Sequence, residues 1–159
     1  RIDYLKKIKR KTAILIAFSC VAGSIVANAT DEDIKSSYAF GYYLGMSYQI
    51  IDDYLDFVGG TENLGKEIGQ DLMNGNITLP ALLAKEINPE LFKDFTKNTS
   101  NEEKEEIISY VKNNDLVLSD TLNISRRYLK KAQESIDKID INVKSELTFI
   151  MNKLSRRDN

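Results

Sequence analysis

Three aspartates fall within five residues at Asp52-Asp53-Tyr54-Leu55-Asp56, directly after Tyr48-Gln49-Ile50-Ile51. Carboxylates this close repel one another, and a helix tolerates them only with positive charge beside them. Oxygen-rich clusters suit Mg²⁺, a hard cation that keeps several waters and shares its ligands with a phosphate. On a helix, Gln49, Asp52 and Asp56 lie at i, i+3 and i+7 and share a face. Asp53 points about 100° away from Asp52. One amide and two carboxylates thus look into a common space, with a third carboxylate at its edge. The competing interpretation is a solvated acidic helix end. Against it, acids at a helix C-terminus oppose the helix dipole, and Ile50, Ile51, Leu55 and Phe57 mark a packed helix.

Two further constellations fit the same chemistry. Gly65-Lys66-x4-Asp71-Leu72-x2-Gly75-x2-Thr78-Leu79-Pro80 reads as a loop carrying a lysine and an aspartate. Beside a metal cluster, Lys66 offers a point charge to a diphosphate, and Asp71 can orient metal-bound water. Taken alone, this stretch reads as an ordinary surface loop. Lys11-Thr12-Ala13 is the third constellation. Lys11 is either a solvated, snorkelling lysine at the edge of a buried helix or another diphosphate contact.

These residues must be positioned by helices. The pattern is helical nearly throughout, with no strand signal, and predicts an all-α fold in a single region, 1–159. A first helix is expected over about residues 2–28. Thr30 then reads as an N-cap for a helix over 31–58, with Asp33 three residues on and acids in the first turn. Ile34, Tyr38, Gly41, Gly45 and Tyr48 form a stripe on it. Gly41 and Gly45 each cost helix stability, about 1 kcal/mol relative to Ala, so they point to a close neighbour. Gly59-Gly60 ends the helix. A loop follows to about residue 77, and Thr78-Leu79-Pro80 starts another helix. Shorter helices are expected near 89–96 and 101–113. Two longer ones, 115–139 and 142–155, carry 3.6-residue patterns: Leu118, Leu122, Leu129, Ala132, Ile136 and Ile139 in one, Val143, Leu147, Ile150, Met151 and Leu154 in the other.

Composition excludes several function classes. The net charge of −2 provides no field for nucleic acid. The absence of histidine removes His-based triads and the usual zinc sites. Cys20 is the sole cysteine, so no intrachain disulfide forms, in keeping with a reducing, cytoplasmic setting. Charge is nonetheless segregated. Arg1 to Lys11 holds six basic residues and one acidic, while Asp31 to Asp71 holds nine acidic and two basic. Residues 1–30 also have the outline of a secretory signal, with a basic stretch, an uncharged run Thr12–Ala29 and a small-x-small ending at Ala27-Asn28-Ala29. A short membrane span is a second reading. Ser19, Gly23, Ser24 and Asn28 dilute the run, and a buried core helix also fits it.

The order and spacing of the three constellations resemble the C-terminal half of trans-isoprenyl diphosphate synthases. The matching stretches are Tyr4-x3-Ile8-x2-Lys11-Thr12-Ala13, then Phe40-Gly41-x3-Gly45-x2-Tyr48-Gln49-x2-Asp52-Asp53-x-Leu55-Asp56-Phe57, then the Gly65 to Pro80 segment. The resemblance is strong over residues 1–88 and loose beyond, and it is greatest to the heptaprenyl-forming members. It implies a helical bundle around a deep central cavity. It also implies Mg²⁺-dependent condensation of an allylic diphosphate with isopentenyl diphosphate. Position by position, Asp52, Asp53 and Asp56 correspond to the second aspartate-rich motif, with Asp52 a direct Mg²⁺ ligand. Lys11 and Lys66 would hold the allylic diphosphate, and Asp71 would support metal-bound water. Thr12 and Gln49 would place oxygen dipoles near the developing cation. Asn76 stands where many relatives carry lysine, and Arg157 matches a basic residue near the site.

The family's first aspartate-rich motif and its isopentenyl diphosphate site belong to an upstream half. Arg1 in place of Met reads as the start of a fragment, so the chain is expected to need that half, in cis or as a companion chain, before it turns over. The resemblance further implies a regulatory subunit or a homodimer, a membrane-seeking product made by a chain that does not span the membrane, and supply of a quinone side chain as in menaquinone biosynthesis. Alternatives are a non-catalytic subunit, a terpene cyclase, or a secreted helical binding protein cleaved after Ala29.

Overall fold

The computed structural model describes residues 1–59, 68–96, 99–139 and 144–155. Among these residues the structure is all helix and turn. The chain divides into two compact units, one of Arg1 and Ile50–Asn123, the other of Ile2–Gln49 and Ile124–Asn159.

The second unit begins with α1 (Ile2–Ile8), a π-helical segment (Lys9–Ala13) and α2 (Ile14–Val26). The expected first helix is therefore continuous but widened at Lys9–Ala13, and it stops two residues early. It ends at Ala27-Asn28-Ala29, the stretch with the signal-like outline. Ala29 N–H bonds back to Ser24 O at 3.0 Å, and Asn28 takes φ 53°. Asparagine tolerates this left-handed cap.

The helix α3 (Asp31–Val58) follows, with the bounds read from sequence. Thr30 Oγ1 accepts from Asp33 N–H at 3.2 Å and donates to Asp33 Oδ2 at 2.8 Å, the expected N-cap. The front of α3 runs antiparallel to α2. A Cβ built on Gly41 would lie 2.7 Å from Ala17 Cα, and one on Gly45 would lie 2.6 Å from Ala13 Cα. This is the close neighbour that the two glycines announced. Ser24 donates to Ser37 at 2.7 Å in the same interface.

The outer stripe on α3 differs from its sequence reading. Gly41 and Gly45 are buried, but Tyr38 is 38% exposed and Ile34 and Tyr48 are half-buried, while Ser37, Phe40, Leu44 and Ser47 are buried beside the glycines. Small residues let the backbones approach, so the contact face is less apolar than a pattern search expects. The same holds on α7 (Asp115–Ile136). Its deep positions are Val117, Thr121, Ser125, Ala132, Ser135 and Ile136, whereas Leu118, Leu122 and Leu129 are half-buried. Thr121 satisfies its hydroxyl on Val117 O at 2.8 Å, and Ser125 pairs with Ser47 at 2.7 Å.

In the first unit, the end of α3 is followed by α4 (Gln70–Met73), a single turn inside the span expected to be loop. Next come α5 (Leu79–Ile87), a 3₁₀ turn (Pro89–Phe92) where a short helix was expected, and α6 (Asn101–Lys112). Pro80 sits in the first turn of α5, as anticipated. Ser100 and Glu103 form a full capping box at α6. Ile51, Phe57, Leu72, Leu79, Phe92, Ile107, Val111 and Val117 are among the buried apolar residues of this unit. The last helix, α8, covers Lys144–Ser155. Among the described residues, no helix is long and apolar enough to cross a membrane.

Candidate functional site

The acidic group belongs to the first unit and is built around Asp56. Gly59 N–H bonds to Leu55 O at 2.7 Å as α3 ends, and one turn earlier Asp56 collects the returning chain. Its backbone carbonyl accepts Gly69 N–H at 2.7 Å. Its carboxylate accepts Gln70 N–H at 3.2 Å through Oδ1 and Asp71 N–H at 3.1 Å through Oδ2. Gly69, the N-cap of α4, has no side chain to offer, so Asp56 caps that turn from another helix. Asp71 is thereby anchored beside Asp56.

The cluster is electrostatically strained. Burial pushes the Asp56 carboxyl above its ordinary range, and the charges of Asp71 and Asp52 push it further, against the two backbone donors. Asp52 is exposed and shares this field. Asp53 is buried, 3% exposed, which fits its position about 100° round the helix from Asp52.

Among the described residues, no three acidic side chains come close enough to hold a metal by themselves. Mg²⁺ takes one or two carboxylates and completes its shell with water and phosphate. A repelling set of carboxylates, one with a raised pKa, fits such an ion. Lys66 and Arg157, both singled out from sequence, lie outside the described residues.

Lys11, Thr12 and Gln49 belong to the second unit. The π-segment presents Lys11 exposed and Thr12 half-buried, and Ala13 is fully buried against α3. Thr12 Oγ1 donates to Gln49 Oε1 at 2.7 Å, with Gln49 only 4% exposed. Two polar residues 37 positions apart are thus paired. The bond consumes the hydroxyl proton, so the Thr12 oxygen lone pairs and the second lone pair of Gln49 Oε1 are what this pair can offer a cation. π-helical turns are uncommon and concentrate at functional sites. Periodicity could not reveal this one, because it adds no residue type of its own.

Sequence reasoning missed Lys104. Its Nζ donates to Met73 O at 3.1 Å, and the residue is 7% exposed. The signal was present: Lys104, Ile107, Ile108 and Val111 stand at i, i+3, i+4 and i+7, so the lysine occupies a place on an apolar stripe.

Comparison with known proteins gives a consistent set of likenesses. The family model described as polyprenyl synthetase matches residues 2–113. The chain is 47% identical over 137 residues to heptaprenyl diphosphate synthase component 2 of Bacillus subtilis (strain 168), covering 84% of this chain and 39% of that protein. It superposes on the crystal structure of heptaprenyl diphosphate synthase from Staphylococcus aureus with TM-score 0.91 and 37% identity, covering 99% of this chain and 51% of that one. Geranylgeranyl pyrophosphate synthase from Corynebacterium glutamicum, complexed with calcium and isoprenyl diphosphate, gives TM-score 0.83 at 26% identity over 98% of this chain and 50% of that one. The chain therefore spans about half the length, or less, of these relatives.

Proposed function

This chain belongs to the polyprenyl synthetase family, and on that premise we propose that it is the C-terminal half of a Mg²⁺-dependent trans-polyprenyl diphosphate synthase of the heptaprenyl class. The reaction joins isopentenyl diphosphate head-to-tail to an allylic diphosphate. The allylic C–O bond breaks, diphosphate departs with the electron pair, and the isopentenyl double bond attacks the allylic carbon. Loss of a proton leaves a chain five carbons longer.

The observation that carries this reading is the convergence on Asp56, which gathers the Asp71 turn into the field of Asp52. Asp52, exposed on α3, is the residue we assign as direct ligand, with Asp53 at the margin and Asp71 acting through water. Bound Mg²⁺ would neutralise the charge of the leaving diphosphate. Asp56 holds the turn that carries Asp71. Lys11 and Lys66 bind diphosphate as point charges. Thr12 and Gln49 present oxygen dipoles where positive charge develops, an electrostatic role that needs them fixed in advance. Their 2.7 Å bond supports that fixation.

The opposing carboxylates and the isopentenyl diphosphate site come, in this proposal, from the family's other half. Because the B. subtilis relative is named component 2, we add a companion subunit to the proposal. A cytoplasmic reaction supplying a quinone side chain completes it.

The test uses the complete enzyme, both halves present, with Asp52→Ala. Mg²⁺-dependent incorporation of labelled isopentenyl diphosphate should fall by about 100-fold or more, on the scale of a lost transition-state stabiliser. Helicity by circular dichroism should be unchanged. Unaltered steady-state elongation would sink the assignment.

A further inference from the structure

A single helical turn does not hold itself together, because nucleation costs more than one turn returns. Yet α4, four residues long, carries Asp71. It is gripped at both ends by charged side chains from two other helices. Asp56 of α3 takes the N–H groups of Gln70 and Asp71. Lys104 of α6 donates to Met73 O at the other end. An anion at the N-terminus and a cation at the C-terminus is the arrangement that the helix dipole favours.

Lys104 is unusual in its surroundings. Glu102, Glu103, Glu105 and Glu106 around it are exposed, whereas Lys104 is 7% exposed. Burying an ammonium is costly without a partner, so this inward turn marks a specific contact rather than a solvated face. One helical turn on, Ile108 packs on Gly69, where an added Cβ would lie 2.5 Å from Ile108 Cδ1. Gly69 has φ 74°, so both conformation and space require glycine there. Thus α6 meets α4 antiparallel, Ile108 at its start and Lys104 at its end.

We propose that Lys104 is a positioning residue for the Asp56–Asp71 carboxylates, setting the geometry with which they receive a divalent cation. This rests on the reading of that cluster as the metal–diphosphate site. Losing the Met73 contact frees the C-terminal end of α4 while Asp56 still holds its start, so Asp71 loses orientation rather than identity.

The test is made in the complete enzyme with Lys104→Met and Lys104→Arg. Mn²⁺ binding without substrate is followed by electron paramagnetic resonance, and Mg²⁺ half-activation by prenyl transfer. Amide exchange at Gln70–Met73 reports the turn itself. Lys104→Met should weaken Mn²⁺ binding and raise the Mg²⁺ half-activation concentration by about tenfold, the lower range for loss of an outer-shell partner. Exchange at Gln70–Met73 should quicken. Lys104→Arg, which keeps a cation, should recover most of the loss. A folded Lys104→Met enzyme with unchanged Mn²⁺ binding and Mg²⁺ half-activation overturns the proposal. Lys104→Gln, a neutral donor of shorter reach, is judged by the same criterion if the methionine variant does not fold. Asp52→Ala separates the two levels of inference. If it moves Mn²⁺ binding and Lys104→Met does not, the positioning role alone fails. If neither moves it, the metal-site reading fails as well.

Discussion

Replacing Gly45 with Ala sets local preference against tertiary packing. Helix propensity alone favours Ala by about 1 kcal/mol. The packing opposes it, because the new Cβ would lie 2.6 Å from Ala13 Cα and 3.2 Å from Ala13 Cβ. Carbon atoms rest at about 3.5–4.0 Å, so the π-segment and α3 must part by about 1 Å. A helical backbone atom has no rotamer by which to escape, which places the clash towards the severe end of overpacking, about 2–3 kcal/mol. The same displacement stretches the Thr12–Gln49 hydrogen bond, now 2.7 Å, past bonding distance. Its loss adds about 1 kcal/mol. Against the propensity gain, the net expectation is a destabilisation of about 2–3 kcal/mol. Urea unfolding of the complete enzyme, compared with Thr12→Val, measures it. Thr12→Val removes the bond without parting the helices and should cost about 1 kcal/mol. Prenyl transfer should drop in both variants. A Gly45→Ala enzyme as stable as the parent, or more stable, would refute the reasoning, because propensity would then have outweighed the contact.

The Asp56 carboxyl is held above its ordinary range by burial and by Asp71 and Asp52, so it takes up a proton at a higher pH in the fold than in the unfolded chain. Its contribution to stability is therefore fully present below the ordinary carboxylate range and is lost as pH rises through the raised value. Cation binding must displace that proton, so Mg²⁺ affinity should weaken as pH falls through this window. Calorimetry in buffers of different ionisation enthalpy should register the proton released, and Asp56→Asn should abolish the release. A pH-independent affinity there would contradict the electrostatic account. The buried Ser47–Ser125 pair offers a double-mutant cycle. Either serine to alanine should cost about 1–3 kcal/mol, because the other hydroxyl is left unpaired, while the double variant should be closer to neutral. Additive losses would show that the two hydroxyls do not depend on one another.

Much of this protein was legible in its sequence. The bounds of α3, its Thr30 cap and the significance of Gly41 and Gly45 follow from short-range rules: cap chemistry, residue propensity and the 3.6-residue period. The order and spacing of the motifs were enough to indicate the family. Tertiary structure decided what depends on partners far along the chain. That Asp56 caps α4, that Lys104 turns inward, and that Thr12 pairs with Gln49 are contacts spanning 15, 31 and 37 residues. No local pattern encodes them. The deep faces of α3 and α7 were read only in part, through Gly41, Gly45, Ala132 and Ile136, for a related reason: Ser37, Ser47, Thr121 and Ser125 look solvent-facing by type. They are buried because small side chains allow close approach and their hydroxyls are satisfied by carbonyls or by each other. Sequence thus specified most of the helices and the family to which the motifs point. The surroundings of Asp56, Lys104 and Thr12 were decided by helix packing, where burial and long-range hydrogen bonds act.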